Sequence, residues 1–557
     1  MPKSTLLNPV TKFRGEIRRI RIAPLQVFAV ALCAGLSAQA ADPAKQLMLE
    51  IRDYLTMPDP GKRDLNSQVN SVYSRINFLR QEPGPDRGRY FLNDQNGPLY
   101  ILDKKTKQLT TYLDFNGKAG RKGMFHRLMF ESGFATGLVN FQFDPDYRRD
   151  GRFYTIHLED PAVAESPLPD NKTFPGFDTK GYEVTQPIRT PGAITREAVL
   201  IEWTDTNTAD TTFEGTAREL MRVQFNVQIH PMADLTFNPT AKPGDPDWRT
   251  LYLSCGDGGS GERVNNPIRN NPQRLDTLVG KILRIIPDLG EHNDSSTISD
   301  NGRYRVPRDN PFVAKTGARP EIWAYGIRNP HRMTWYVDPV DAKKTYLIAD
   351  VIGLSTWETV IIVHKGANYG YSEREGNQKL LPNNHTAPLP EDDRIPVRIG
   401  NEPTGEMVKP TYPVLQYGHV PGGGDAISSG FVIGDEYPAL RGKYLFGDIS
   451  TGNIWWADIN EMIAADDGNP ATMATTHPVQ ILWQRAGRPE ELYPSMAPIV
   501  SEAYHARGGE AKYLPGIAVV ASKGRADIRF AMDSEGKLFV TSKSDGVIRE
   551  VVGAVER

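Results

Sequence analysis

The chain has 557 residues, a formal net charge of −3 at neutral pH and a hydrophobic fraction of 39%. Near charge balance, with no long run of one sign, supplies no basic field and so disfavours nucleic acid as a partner. The 50 glycines and 43 prolines suit many short strands punctuated by turns and argue against a helical bundle.

Taken in chain order, the first segment carries Lys3, Lys12, Arg14, Arg18, Arg19 and Arg21, then an apolar run from Leu25 to Leu36, then Ala38-Gln-Ala40. This is the layout of a secretory signal over 1–40, with a mature chain beginning near Ala41. The apolar run is short for a membrane span, and nothing later resembles one. A periplasmic or secreted protein with no membrane span after signal removal is therefore expected. Arg18-Arg19 is a weak twin-arginine signal, and Cys33 lacks the small preceding residue of a lipoprotein anchor. Signal removal would leave Cys255 alone, which excludes an intrachain disulfide and a Cys-x-x-Cys-His haem site.

Residues 41–70 contain Leu47, Leu49, Ile51 and Leu55 among charges, stopped by Pro58 and Pro60. The pattern predicts a short helix and a linker. From there to the C-terminus, 71–557, strand signals dominate. Arg89 to Asp103 holds two alternating runs around a polar turn, a hairpin. Phe141 to His157, Leu235 to Ser254, Met333 to Asp350 and Ile528 to Val540 each repeat one unit: an apolar alternation, an Asp or Asn turn and a second strand. Spaced repetition of this kind predicts radial small sheets, an all-β propeller. The segments 160–216 and 372–410 interrupt it with Pro, Gly, Asp and Thr, as insertions on one face would.

Within the third unit, Leu251 to Pro287 reads as strand, glycine-rich loop, polar connection and strand. Asp257-Gly258-Gly259 stands at the first strand's end. Glycines there allow close approach to a ligand or cation, and a turn in which Asp257 bonds its own backbone is the simpler reading.

Several further motifs occur in order: Phe134 to Tyr147, Asn310-Pro-Phe-Val, Pro320 to Pro330 with its Arg328-Asn329-Pro330, Lys365-Gly-Ala-Asn-Tyr-Gly-Tyr371, and Tyr437 to Trp455. Together with Leu251 to Pro287 they resemble the glucose/sorbosone dehydrogenase family, over roughly Ser71 to Val552. The resemblance implies a six-bladed β-propeller that oxidises a sugar with pyrroloquinoline quinone (PQQ) and calcium, passing electrons to an external acceptor. It also implies site residues. His230, just before the third unit, matches the family's general base. Arg328 and Asn329 match the Arg-Asn-Pro that holds the quinone, with Arg328 also stabilising developing charge. Calcium would sit on backbone carbonyls of the loop at Val351, Ile352 and Gly353, a loop one residue longer than the usual form. Asp257 is a candidate for a second cation or a plain turn.

Three positions depart from the family. Gly434 and Ala526 stand where cations usually meet the quinone carboxylates, and Ala135 replaces a Gln or Glu. Weak, calcium-dependent quinone binding follows from that pattern, with Arg525 or Arg441 as the available compensation. Two other functions compete with a sugar dehydrogenase: a catalytically silent propeller that binds a protein or glycan, and a calcium-dependent lactonase or esterase.

Overall fold

The computed structural model describes residues 46–59, 72–84, 88–130, 135–516, 520 and 523–557; the expected signal at 1–40 lies outside them. Six blades, each built on a ladder of four antiparallel strands, are arranged in chain order, the sixth taking its outer strand from the N-terminal side; that strand also joins the fifth and sixth into one nine-stranded sheet. Their innermost strands are Ile76–Gln81, Leu138–Phe143, Met232–Phe237, Asn329–Val337, Ile427–Val432 and Ile528–Met532. Each of these touches the next, and the sixth touches the first, so the inner strands close a ring around one axis. The chain is a six-bladed β-propeller.

Four of the five repeated units are the inner hairpins of the second, third, fourth and sixth blades. The hairpin at Arg89 to Asp103 is the middle pair of the first blade. The apolar core is divided among the blade interfaces rather than gathered at the axis. Phe91, Phe141 and Trp203 fill the first-to-second interface, Leu200, Leu235 and Leu253 the second-to-third, and Ile348, Tyr417 and Phe446 the fourth-to-fifth. Because burial is satisfied between blades, the axis is left for polar side chains.

The helix expected within 41–70 is corrected. Leu47–Thr56 is a strand, hydrogen-bonded antiparallel to Val547–Glu556 and parallel to His477–Gln484. It is the fourth strand of the sixth blade, so the two ends of the chain complete one sheet. Leu47, Leu49 and Ile51 are fully buried, and their two-residue spacing is that of a strand. The choice was made by two partner edges near the other end of the chain, because local propensity is a weak prior against long-range pairing.

The insertion expected at 160–216 is also narrower than its composition suggested. Arg196–Asp205 is the third strand of the second blade, and Gly215–Phe225 the fourth. The segment 372–410 does stand outside the blade ladder. It folds into a three-stranded sheet of Arg374–Glu375, Gln378–Leu380 and Thr386–Ala387, and a hairpin of Ile395–Arg398 with Pro403–Val408.

Candidate active site

The axial cavity has a volume of about 250 Å³ and takes wall residues from all six blades, including Asn77, Val139, His230, Asn329, Asp425 and Arg525. His230, Arg328, Asn329 and Arg525, all expected at the site, are brought together here, as are Ile352 and Gly353.

His230 lies in the loop before the third blade's inner strand, with its backbone in the left-handed region at φ 51°. The glycine-rich loop explains how it is held. Gly256 N–H donates to Pro231 O at 3.0 Å and Gly258 N–H to His230 O at 3.0 Å. A Cβ on Gly256 would stand 2.5 Å from His230 O, so only glycine lets the two loops close. Between the glycines, Asp257 is fully buried and its Oδ1 meets His230 Nδ1 at 2.7 Å.

Asp257 Oδ1 also accepts Gly259 N–H at 2.9 Å, and Oδ2 accepts Gly261 N–H at 2.8 Å. The turn in which Asp257 bonds its own backbone is present, and the same carboxylate also holds His230; with its oxygens taken by an imidazole and two amides, it is poorly disposed to hold a cation. Burial, then the Arg328 charge, pushes the His230 pKa below its ordinary value of 6.5, with Asp257 opposing them. Burial raises the Asp257 carboxyl, but His230 and Arg328 outweigh it and hold it below the usual range. A neutral imidazole whose Nδ1–H points at a carboxylate has Nε2 as its acceptor.

Arg328 is the other fixed point. Its Nη2 donates to Glu262 Oε2 at 2.9 Å, and its Nη1 to Ile352 O at 3.3 Å and to Gly353 O. Burial works against its charge, but Tyr371, Glu262 and Asp257 together raise its pKa above the ordinary value. Asn329 is buried, and its Oδ1 has no hydrogen-bond partner among the described residues.

The far wall is built from residues that the sequence reading did not single out: His331, Arg332, Arg529 and Lys543. Arg332 donates to Asn77 Oδ1 at 3.0 Å and lies 3.9 Å above the Phe78 ring. Lys543 Nζ donates to Gln95 Oε1 at 2.7 Å, and Arg529 Nη1 to Asp527 Oδ1 at 2.9 Å. Arg525 Nε stands 3.7 Å from Asp527 Oδ2. Burial, then Arg529, lowers Arg332 to about 9 and Lys543 well below its ordinary value. Burial, then Arg332, likewise keeps His331 neutral. The Nε atoms of Arg328, Arg332 and Arg529 and the Nε2 of His331 are buried without partners among the described residues.

These residues overturn the deficit expected from the three departures. Gly434 is exposed and follows the C-terminal end of Ile427–Val432, whereas Asp425 and Ala426 at the other end line the cavity. Six residues of strand, about 20 Å, separate them. Ala526 is fully buried and packs with Met496 and Ile528 in the apolar cluster between blades five and six. Of the three, Ala135 alone lines the cavity. Arg441 pairs with Asp435 on the surface and contributes nothing at the axis. The signals that could have found the cations of this wall are Arg332, two residues after the Arg-Asn-Pro motif, and Arg529, a charge inside the apolar alternation of an inner strand.

The calcium loop fits less well. Val351 is in ladder register with Pro330 and Thr359 and packs into the cluster between blades three and four. Ile352 and Gly353 line the cavity, and their carbonyl oxygens are engaged by Arg328. Among the described residues no group of three or more His, Cys, Asp or Glu side chains is placed to hold a metal ion. With Ile352 O and Gly353 O both accepting from Arg328, the carbonyls expected to hold calcium are already engaged as the residues stand.

The family profile of glucose/sorbosone dehydrogenases matches residues 82–474. The HIPL1 protein of Arabidopsis thaliana is 24% identical over 421 residues, 72% of this chain and 54% of that protein. The aldose sugar dehydrogenase YliI of Escherichia coli (strain K12) is 29% identical over 209 residues, 37% of this chain and 46% of that protein. The chain spans about half the length of these relatives. Among solved structures, the soluble aldose sugar dehydrogenase of Escherichia coli in its apo-form superposes with a TM-score of 0.48 at 17% identity, over 87% of this chain and 98% of that one. The PQQ-bound aldose sugar dehydrogenase of Streptomyces coelicolor gives a TM-score of 0.46 at 15% identity, over 92% and 100%. With its family profile matched over most of its length, the chain belongs to the glucose/sorbosone dehydrogenase family.

Proposed function

We propose that this protein is an exported quinoprotein that oxidises an aldose or a related sugar or alcohol, with PQQ in the axial cavity. The observation that carries the reading is the charge of that cavity. Arg328, Arg332, Arg525, Arg529 and Lys543 line it, against Asp425 as its lining carboxylate. Buried cations in such excess call for an anionic ligand, since burying unbalanced charge is costly. PQQ, when bound, supplies a hydride-accepting quinone and three carboxylates.

Arg332, Arg525, Arg529 and Lys543 would hold those carboxylates, and each charge-assisted hydrogen bond formed is worth about 1.5 to 3 kcal/mol. Arg328, set by Glu262, would stabilise negative charge as it develops on the quinone oxygen side of the site. His230 Nε2 takes the proton of the substrate hydroxyl, and the buried Asp257 carboxylate stabilises the imidazolium that results. The depressed His230 pKa keeps the base neutral and ready at neutral pH. Electrons leave to an external acceptor. No helix among the described residues is long and apolar enough to cross a membrane.

Reconstitution tests this. Purified apoprotein is titrated with PQQ by calorimetry, and dye reduction is followed with a panel of aldoses. Saturable binding near one quinone per chain, with turnover of at least one aldose, is expected. Failure to bind quinone in a folded protein would sink the reading and favour a propeller that binds a protein or glycan.

A further inference from the structure

The loop expected to carry calcium has a distinctive hydrogen-bond economy. Glu375 Oε1 accepts the backbone N–H groups of Leu354, Ser355, Thr356 and Trp357 at 2.9, 2.7, 2.8 and 3.2 Å. Gly353 N–H donates to Glu358 Oε1 at 3.1 Å. The amides of the loop thus converge on buried carboxylates. Ile352 O and Gly353 O both accept from one guanidinium nitrogen, Arg328 Nη1. A Cβ on Gly353 would stand 1.7 Å from Trp357 O, so this tight loop requires glycine at that position.

We infer that the Arg328 guanidinium fills the place of a divalent cation in this chain, so that the axial cavity takes its anionic ligand without calcium. Backbone carbonyls are hard donors and serve a guanidinium N–H as well as a metal ion. Arg328 cannot easily be moved aside, because Glu262 holds its other nitrogen at 2.9 Å. A calcium ion at these carbonyls would displace both Nη1 bonds and sit beside a guanidinium that stays charged. It would also meet Arg332, Arg529 and Lys543 across the same small cavity, with Asp425 as the lining carboxylate. Asp425 Oδ2 itself accepts Val520 N–H at 2.9 Å. Calcium is oxygen-hungry, taking six to eight such ligands, and two carbonyls among like charges are a poor start.

The inference rests on the quinone reading only for its ligand; the exclusion of calcium is tested without it. Calcium is titrated into the metal-stripped apoprotein by calorimetry, and terbium luminescence is read as a second probe of the same site. The wild-type protein should show no stoichiometric uptake. Arg328→Ala, which frees the two carbonyls, should gain calcium and terbium affinity by at least about tenfold. Separately, PQQ binding should be the same within about threefold in chelator and in millimolar calcium. One calcium per wild-type chain, or quinone affinity raised tenfold or more by calcium, would overturn the inference. Lack of any gain in a folded Arg328→Ala protein would show that the guanidinium is not what excludes the ion. Loss of quinone binding in both buffers would instead count against the proposed function and leave the metal titration to decide the inference.

Discussion

The two walls of the axial cavity solve opposite electrostatic problems. On the third and fourth blades, each charged group has its counterpart: His230 with Asp257 at 2.7 Å, and Arg328 with Glu262 at 2.9 Å. On the fourth and sixth blades, Asp527 lies within 4 Å of both Arg525 and Arg529, whereas Arg332 and Lys543 hydrogen-bond the neutral side chains of Asn77 and Gln95. A paired wall is finished before any ligand arrives and can orient a base. An unbalanced wall stores a demand for anions, because its cations are desolvated without full compensation. The contrast assigns proton transfer to one side and ligand capture to the other, and substitutions on the two sides should therefore fail in different ways.

The largest effect is expected on the paired wall. His230→Ala should lower turnover by about 10²- to 10⁴-fold while leaving quinone affinity close to wild type, since the imidazole belongs to the wall that does not capture carboxylates. Stopped-flow reduction of the bound quinone by an aldose, alongside calorimetric titration, measures both. Equal losses in affinity and turnover would dissolve the distinction between the walls.

Asp257→Asn should cost about 10²-fold in turnover and also move the pH profile. Asp257 raises the His230 pKa against burial and Arg328, so losing its charge lowers that pKa further. The acid limb of the rate profile, which reports His230 becoming neutral, should shift to lower pH. The sign for stability follows the same shift. A folded pKa below the unfolded value of 6.5 means that the unfolded chain binds more protons in the window between them, so stability is complete above that value and declines as pH falls through the window. An unmoved acid limb in the Asn variant would assign it to another group.

On the unbalanced wall, Lys543→Met or Arg332→Met should weaken quinone binding by about 1.5 to 3 kcal/mol each. Thermal melts supply the sharper part of the test. Removing a buried cation that hydrogen-bonds no carboxylate among the described residues relieves repulsion from Arg529, so the ligand-free variants should melt higher than wild type while the loaded ones lose their advantage. A lower melting point for the ligand-free Lys543→Met protein would mean that its bond to Gln95 outweighs the repulsion.

The smallest effect is expected at Gly434. A lysine there should change quinone affinity by less than about twofold, because about 20 Å of strand separates it from the cavity. Tighter binding by Gly434→Lys in calorimetry would contradict the position of that turn.

What the sequence determined by itself is the repeating grammar. Strand alternation at Phe141, Leu235, Met333 and Ile528 follows from the two-residue period of a pleated strand, which needs no partner to be legible. The resemblance of the ordered motifs to the family implied His230, Arg328 and Asn329 at one site, with Arg525 as a compensating cation, and all four line the cavity. What only the tertiary structure decided depends on residues far apart in the chain. Leu47–Thr56 is a strand because edges near the opposite end of the chain accept it on both sides. Arg332, Arg529 and Lys543 form a cation wall because ring closure turns three separate segments to one axis, and no local pattern records that direction. Gly434 and Ala526 were misplaced for the same reason: adjacency in a motif fixes which strand a residue belongs to, while the end of the strand and the face of the blade are set by how the six sheets pack. Even the partner of Ile352 O and Gly353 O could not be read from the loop that bears them, since a backbone carbonyl carries no side-chain signature and its donor, Arg328, comes from the neighbouring strand's N-terminus.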